Sequence, residues 1–241
     1  MAKMLPRTLE PEVMASEEDA RDYDAMNHSE VNVRFCDDLF AAMSLGGARV
    51  PDEGTELALD MGTGSAHVVI ELARRAPRLN IVAIDLAEHM LALATRNVER
   101  AGLADRIRIE RADAKATEWS DGAFGLVISN SLVHHVVDVG GTLREMWRLV
   151  RPKGLLFVRD LARPESEERL RALVSRYAPA FATADPAICG AQNRQRCLFE
   201  ASLHAALTVD EVRTAAAGVG IPASAIQMTS DRHWTLAHFR P

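Results

Sequence analysis

The chain has 241 residues, 48% of them hydrophobic and 26% charged, which suits one domain with a sizeable core. Lys and Arg total 28 against 34 Asp and Glu, a net charge of −6 that argues against nucleic acid as the main partner. No apolar run approaches the roughly 18 residues of a membrane span, and the first residues lack the apolar core of a secretory signal.

Residues 1–18 are polar, with two prolines and an acidic cluster, and read as a loose arm. From Glu18 to Met43 the pattern is helical, with Val33, Phe35, Leu39, Phe40 and Met43 at three- and four-residue spacings. Gly46, Gly47, Pro51 and Gly54 then break the chain. This divides it into an N-terminal arm and helical lid over 1–50 and a main domain over 51–241.

From Glu56 strands and helices alternate. "ELALD" is a strand, followed by a helix over 66–75. "NIVAID" and "AEHMLALATRNVERAG" repeat the unit, and "RIRIERAD" and "FGLVISNS" are the third and fourth strands. "VGGTLREMWRLVRPKG" is a helix with Pro152 and Gly154 as stop signals, and "LLFVRD" is a fifth strand. Residues 161–205 interrupt the rhythm as a helix-rich cap. A helix resumes at "TVDEVRTAAAG", where Thr208 and Glu211 have capping-box spacing. "AIQMTSDRHWTLAHF" reads as two strands around a turn at Ser230 and Asp231.

The expected fold is therefore α/β. It is a seven-stranded, mostly parallel sheet with helices on both faces and a terminal antiparallel hairpin. The strands are continuous apolar runs, as burial on both faces requires.

The first strand-to-helix turn, "DMGTGSAH", indicates a nucleotide-like ligand. A dinucleotide fingerprint needs a third glycine for close helix–strand packing, and His67 stands there instead. A phosphate-binding loop needs a lysine after its second glycine, and none follows Gly64. What remains is Asp60-x-Gly62-x-Gly64-x-Ala66, an acid at a strand end followed by small residues at alternate positions.

This pattern resembles motif I, (D/E)-x-G-x-G-x-(G/A), of the class I S-adenosylmethionine-dependent methyltransferases. The fourth-strand segment "SNSLVHHV" and the stretch "LREMWRLVRPKGLLFVRD" are similar to their counterparts in that family, with Lys153 in place of a glycine. The resemblance implies S-adenosylmethionine as cofactor and S-adenosylhomocysteine as product. It implies that Asp60, Gly62 and Gly64 shape the cofactor turn and that Asp85, closing the second strand, accepts the ribose hydroxyls. Asp113, with the Ala114 backbone, would recognise adenine, and Leu86, Met90 and Asn130 complete the expected contacts. A sulfonium ligand has no pyrophosphate, so such a turn admits a compact methionine and ribose beside an acid that suits positive charge.

Tyr23-Asp24-x-Met26-Asn27 is similar to the "Y-D-x-M-N" of the ubiquinone and menaquinone C-methyltransferases, which implies a lid role for Tyr23, Met26 and Asn27. Methyl transfer from a sulfonium is an in-line displacement in which positioning supplies much of the rate. If the acceptor must lose a proton, His28 is the first candidate base and His134 the second. Arg194, Arg196 and His233 are candidate substrate contacts, an inward guanidinium being suited to a carboxylate.

Adjacent residues of an extended segment point oppositely, so His134 and His135 are not expected to share a metal, and no metal is expected elsewhere. Cys36, Cys189 and Cys197 are too few and too scattered for a disulfide framework, which fits a cytoplasmic chain. The expectation is a small-molecule methyltransferase, with homodimerisation open. A protein or nucleic-acid acceptor, or a non-catalytic S-adenosylmethionine-binding protein, is the alternative. The (N/D)-P-P-(Y/F) of nucleic-acid amino-methyltransferases is absent after the fourth strand.

Overall fold

Five apolar segments lie side by side as parallel strands: β1 (Leu57–Met61), β2 (Asn80–Asp85), β3 (Ile107–Arg111), β4 (Phe124–Asn130) and β5 (Val150–Leu161). With β6 (Ile226–Met228) and β7 (His233–Phe239) they form one sheet in the order β3-β2-β1-β4-β5-β7-β6. β7 pairs antiparallel with both β5 and β6, so it is the one reversed strand. The computed structural model describes residues 4–10, 17–25, 29–45, 57–178 and 186–241.

Each strand serves two cores because successive side chains point to opposite faces. Ala58, Ile81, Ala83, Ile128 and Phe157 pack on one face against α2 (Ser29–Leu45), α3 (His67–Arg75) and α4 (Glu88–Arg100). Leu59, Val82, Ile84, Val127 and Leu156 pack on the other against α5 (Val139–Leu149) and α8 (Val209–Ala217). Each buried aliphatic side chain contributes about 1.5–3 kcal/mol. α8 starts as its sequence predicts: Glu211 N donates to the Thr208 hydroxyl at 3.2 Å and Thr208 N to Glu211 Oε2 at 2.8 Å.

The remaining helices gather at the carboxyl end of the sheet. α1 (Glu17–Asp24) precedes α2, while α6 (Glu167–Tyr177) and α7 (Pro186–Ala205) occupy the 161–205 insertion. Two boundaries differ from expectation. The single helical pattern over Glu18–Met43 is two helices, α1 and α2. The fifth helix stops at Leu149 rather than near Pro152, because Val150 is already extended and opens β5, with a register shift against β4.

Residues 4–10 are not loose. Arg7 Nε donates to Ala205 O at 2.7 Å, and Arg7 Nη2 to the carbonyls of His134 and Val136, each at 3.1 Å. Thr8 N donates to His204 O at 3.0 Å, and Leu5 packs against the core between α6 and α7. Polar composition suggested a free arm, but carbonyls left over at the end of α7 and after β4 give these residues partners.

Lys153 occupies a glycine's place in the family pattern, and its φ is +63°. A left-handed backbone costs a residue with a Cβ roughly 1–2 kcal/mol. Lys153→Gly should therefore raise stability by about 1 kcal/mol, seen as a melting temperature about 2–4 °C higher. Gly154→Ala should do the opposite, since its Cβ would lie 2.8 Å from Gly125 O and 2.9 Å from Arg151 O. An unchanged melting temperature in both variants would contradict this reading.

Candidate functional site

In open α/β sheets the ligand lies outside the carboxyl ends of the strands. Here β1 runs into a turn where Gly62, Gly64 and Ala66 have φ of +79°, +54° and +67°. Gly62 N and Thr63 N both donate to Ile84 O, at 2.9 and 2.8 Å, tying the turn to β2. A Cβ on Gly62 would come within 2.8 Å of Leu132, whereas nothing lies within 4 Å of one on Gly64. The turn is thus closed on the Leu132 side and open at Gly64. Ala66, fully buried, holds the backbone shape of a third glycine.

Asp60 is 2% exposed, and no cationic side chain pairs with it among the described residues. Burial, with the Asp85 charge adding to it, pushes its carboxyl up to about 7 against the relief given by Thr63. Asp85 braces the turn: its Oδ2 accepts from Gly64 N and its Oδ1 from Ala87 N, each at 2.9 Å. Asp113 follows β3, where its Oδ1 accepts from Lys115 N at 2.9 Å, and Ala112 N donates to Asp85 O at 3.2 Å. Leu86 lies between β2 and α4, and Ala114 leans partly buried on the second core. Asn130, ending β4, has a buried Oδ1 without a hydrogen-bond partner.

The loop after Asp113 is clamped from α5. Glu145 Oε1 accepts from Thr117 N at 2.8 Å and from Thr117 Oγ1 at 2.5 Å. Arg148 reaches Glu145, Trp119 O and Asp121. Glu145 and Arg148 belong to the "LREMWR" stretch, whose bracing role the motif did not disclose. Although burial opposes it, these bonds hold the Glu145 carboxyl down at about 2.

α1 docks beside the turn. His67 does not obstruct packing; it turns outward, and its Nε2 lies 2.9 Å from Asp24 Oδ1. Asn97 Nδ2 donates to the same oxygen at 3.0 Å and to Ser65 O at 3.1 Å. Ala20 packs with Ala87, Met90 and Leu93, so Met90 is engaged in packing under α1. Arg194 pairs with Glu18 at 3.2 Å, joining α7 to α1. Arg196 lies partly buried on α7. Tyr23 belongs to α1, while Met26, Asn27 and His28 lie outside the described residues.

The histidine pair departs from expectation in geometry. Val133–His135 is a 3₁₀ turn, not an extended segment, and the two rings stand 4.0 Å apart. His134, 2% exposed, has Nδ1 2.5 Å from Asp160 Oδ1, while its backbone N donates to Asp160 Oδ2 at 3.0 Å. Burial pushes its imidazolium down, but Asp160 and Glu10 outweigh that and the net shift is upward. Glu10 lies over it, so His134 faces a carboxylate rather than an open chamber. His233 opens β7 with Nδ1 2.9 Å from Ser230 Oγ. Burial and the neighbouring Arg232 and Arg159 push it down to about 3, leaving it neutral at physiological pH. Glu10, Asp24 and Asp160 were not singled out by sequence, because each acts through a partner far along the chain.

Residues 59–158 match the family described as a methyltransferase domain. Demethylmenaquinone methyltransferase of Thermus thermophilus is 36% identical over 106 residues, 44% of this chain and 47% of that protein. The ubiquinone/menaquinone biosynthesis C-methyltransferase of Geobacter sulfurreducens is 34% identical over 109 residues, 45% and 43% of the two chains. The matched stretch thus spans under half the length of these curated relatives. In fold, an S-adenosylmethionine-dependent methyltransferase from Aquifex aeolicus superposes with a TM-score of 0.61 at 15% identity, over 94% of this chain and 99% of the other.

Proposed function

We propose that this chain, whose residues 59–158 match a methyltransferase domain, binds S-adenosylmethionine and transfers its methyl group to a small-molecule acceptor. The observation that carries the reading is Asp60, a buried carboxylate without a cationic partner beside a turn left open at Gly64. An ammonium group placed there would supply the missing charge. Asn130 Oδ1, buried and unpaired, supports the same view, since a buried acceptor calls for a donor.

Bound S-adenosylmethionine would supply a sulfonium methyl that an acceptor lone pair takes in line, the bonding electrons staying on the sulfur of S-adenosylhomocysteine. The chain's own groups hold and orient. Asp85, with one lone pair on each oxygen still free after its two backbone bonds, suits the ribose hydroxyls. Asp113 and the Ala114 backbone, with Leu86 alongside, suit adenine, and the Glu145–Arg148 clamp keeps their loop in place. α1, fixed by Asp24 beside the turn, would serve as the lid over it. The 161–205 segment is a cap joined to it by Glu18 and Arg194. On this reading Tyr23, Met26 and Asn27 would contribute to the lid, as their motif implies.

His28 is our candidate base for an acceptor that must lose a proton. His134 is the weaker candidate because Glu10 covers it, and His233 is too weakly basic to serve. Arg196 and His233 are better assigned to binding the acceptor, while Arg194 is already occupied by Glu18.

The relatives named for demethylmenaquinone and ubiquinone methylation make a small acceptor the preferred class. No described helix is long and apolar enough to cross a membrane. Calorimetry with S-adenosylmethionine and with S-adenosylhomocysteine tests the reading: binding of both in the micromolar range is expected, and binding of neither at millimolar concentration would refute it. Conversion of S-adenosylmethionine to S-adenosylhomocysteine in the presence of acceptors separates an enzyme from a passive binder.

A further inference from the structure

Beneath the docked residues 4–10, donor atoms from distant parts of the chain converge. Glu10 Oε2 lies 3.1 Å from His135 Nδ1 and 4.0 Å from His134 Nε2, and one donor atom from each residue falls within 4.8 Å of the other two. We propose that Glu10, His134 and His135 form a binding site for a divalent transition cation of the zinc type.

The donor set of two imidazoles and one carboxylate is one that zinc takes in tetrahedral sites with a fourth position left for water or another ligand. The 3₁₀ turn makes it feasible for adjacent histidines: at three residues per turn they project about 120° apart, not 180° as in a strand. The arrangement behind His134 is that of an oriented ligand. Asp160 takes Nδ1 at 2.5 Å, and where Nδ1 keeps the proton the free lone pair sits on Nε2. That lone pair faces the Glu10 carboxylate at 4.0 Å, beyond hydrogen-bond reach. Two electron-rich atoms so placed are satisfied together by a cation between them.

The distances agree with this. With metal bonds of about 2.0–2.2 Å, tetrahedral donors lie about 3.4 Å apart, so the two separations from Glu10, 3.1 and 4.0 Å, need changes of about 0.3–0.6 Å, and the histidine donors already lie within 4.8 Å of each other. Glu10 is also held from behind, by Ser202 Oγ at 3.2 and 3.3 Å from its two oxygens. The carboxylates of Glu10 and Asp160 balance the charge of a divalent ion. The site lies where β4 and β5 end, and its test reads metal uptake alone, so it does not depend on the methyl-donor reading.

The full chain, stripped with a chelator and dialysed, is titrated with Co2+ and followed by visible absorption, then with Zn2+ as competitor. One ion per chain and the absorption of a low-coordinate Co2+ site are expected. Glu10→Gln and His135→Ala should each weaken binding at least tenfold. Glu10→His, which keeps a donor atom, should bind within tenfold of the unaltered chain, and Cys197→Ser should bind as it does. Circular dichroism and urea midpoints of the metal-free variants show that they remain folded. The proposal is overturned if the unaltered chain takes up no stoichiometric ion, if both weakened variants bind normally, or if Cys197→Ser abolishes binding.

Discussion

The affinity for S-adenosylmethionine should rise as pH is raised from about 5.5 to about 7.5, by close to tenfold per unit on the acid side and then level off. The cause is Asp60, whose carboxyl sits at about 7 when no cation faces it. Below that pH the unliganded site holds a proton that an incoming ammonium must expel. Above it the carboxylate is ready. Asp60→Asn should flatten this dependence and weaken binding at pH 7.5 by about 100-fold, the equivalent of roughly 3 kcal/mol for a buried ion pair broken on one side.

The same group sets a stability trend of opposite sense. Its folded pKa, about 7, lies well above that of an ordinary aspartate in the unfolded chain, so its contribution is full below about 4 and is lost as pH rises through about 7. The difference corresponds to something on the order of 4 kcal/mol. Unliganded Asp60→Asn should therefore melt higher than the unaltered chain at pH 8, even as it binds the ligand less well. Calorimetry and thermal melts across pH check both halves, and an affinity independent of pH would remove Asp60 from the ammonium site.

Asp160→Ala should cost about 3–5 kcal/mol of stability, a loss of roughly 10 °C or more in melting temperature for a chain of this size. Asp160 is fully buried, and its two oxygens accept from His134 N, His134 Nδ1 and Leu161 N. Truncation strands these donors away from water, which is worse than never having formed the bonds. Asp160→Asn keeps one acceptor oxygen and should lose only about 1–2 kcal/mol. Urea unfolding of the two variants separates the cases; equal losses would mean that the side chain fills space rather than satisfies donors.

The sheet was legible because its signals are local. Runs such as "NIVAID" encode two-sided burial, glycine marks the tight turn, and Thr208 with Glu211 marks a helix start. The glycine turn after β1 was legible for the same reason, since Asp60, Gly62, Gly64 and Ala66 sit within seven residues. What escaped were contacts between distant segments. Nothing near Asp24 says that His67 and Asn97 will hold it, and nothing near Glu10 says that it will lie over two histidines. His67 was read as an obstacle to close packing, whereas it turns outward to Asp24, a partner 43 positions away that could only be seen in three dimensions. The histidine pair failed differently: an extended segment was assumed after β4, and a 3₁₀ turn brings the two rings together instead of sending them to opposite faces.

The bonds of Arg7 span 127, 129 and 198 positions of sequence. Residues 4–10 leave the ribosome before nearly everything they touch, and their seat is incomplete until α7 has emerged. The segment must therefore wait, unpartnered, until the end of α7 is made, and the expected order is docking after the sheet has formed. Interactions made after the folding barrier slow unfolding and leave the folding rate alone. Docking of this strap is thus a lock on the finished molecule, felt in how long the native state lasts and not in how fast it is reached.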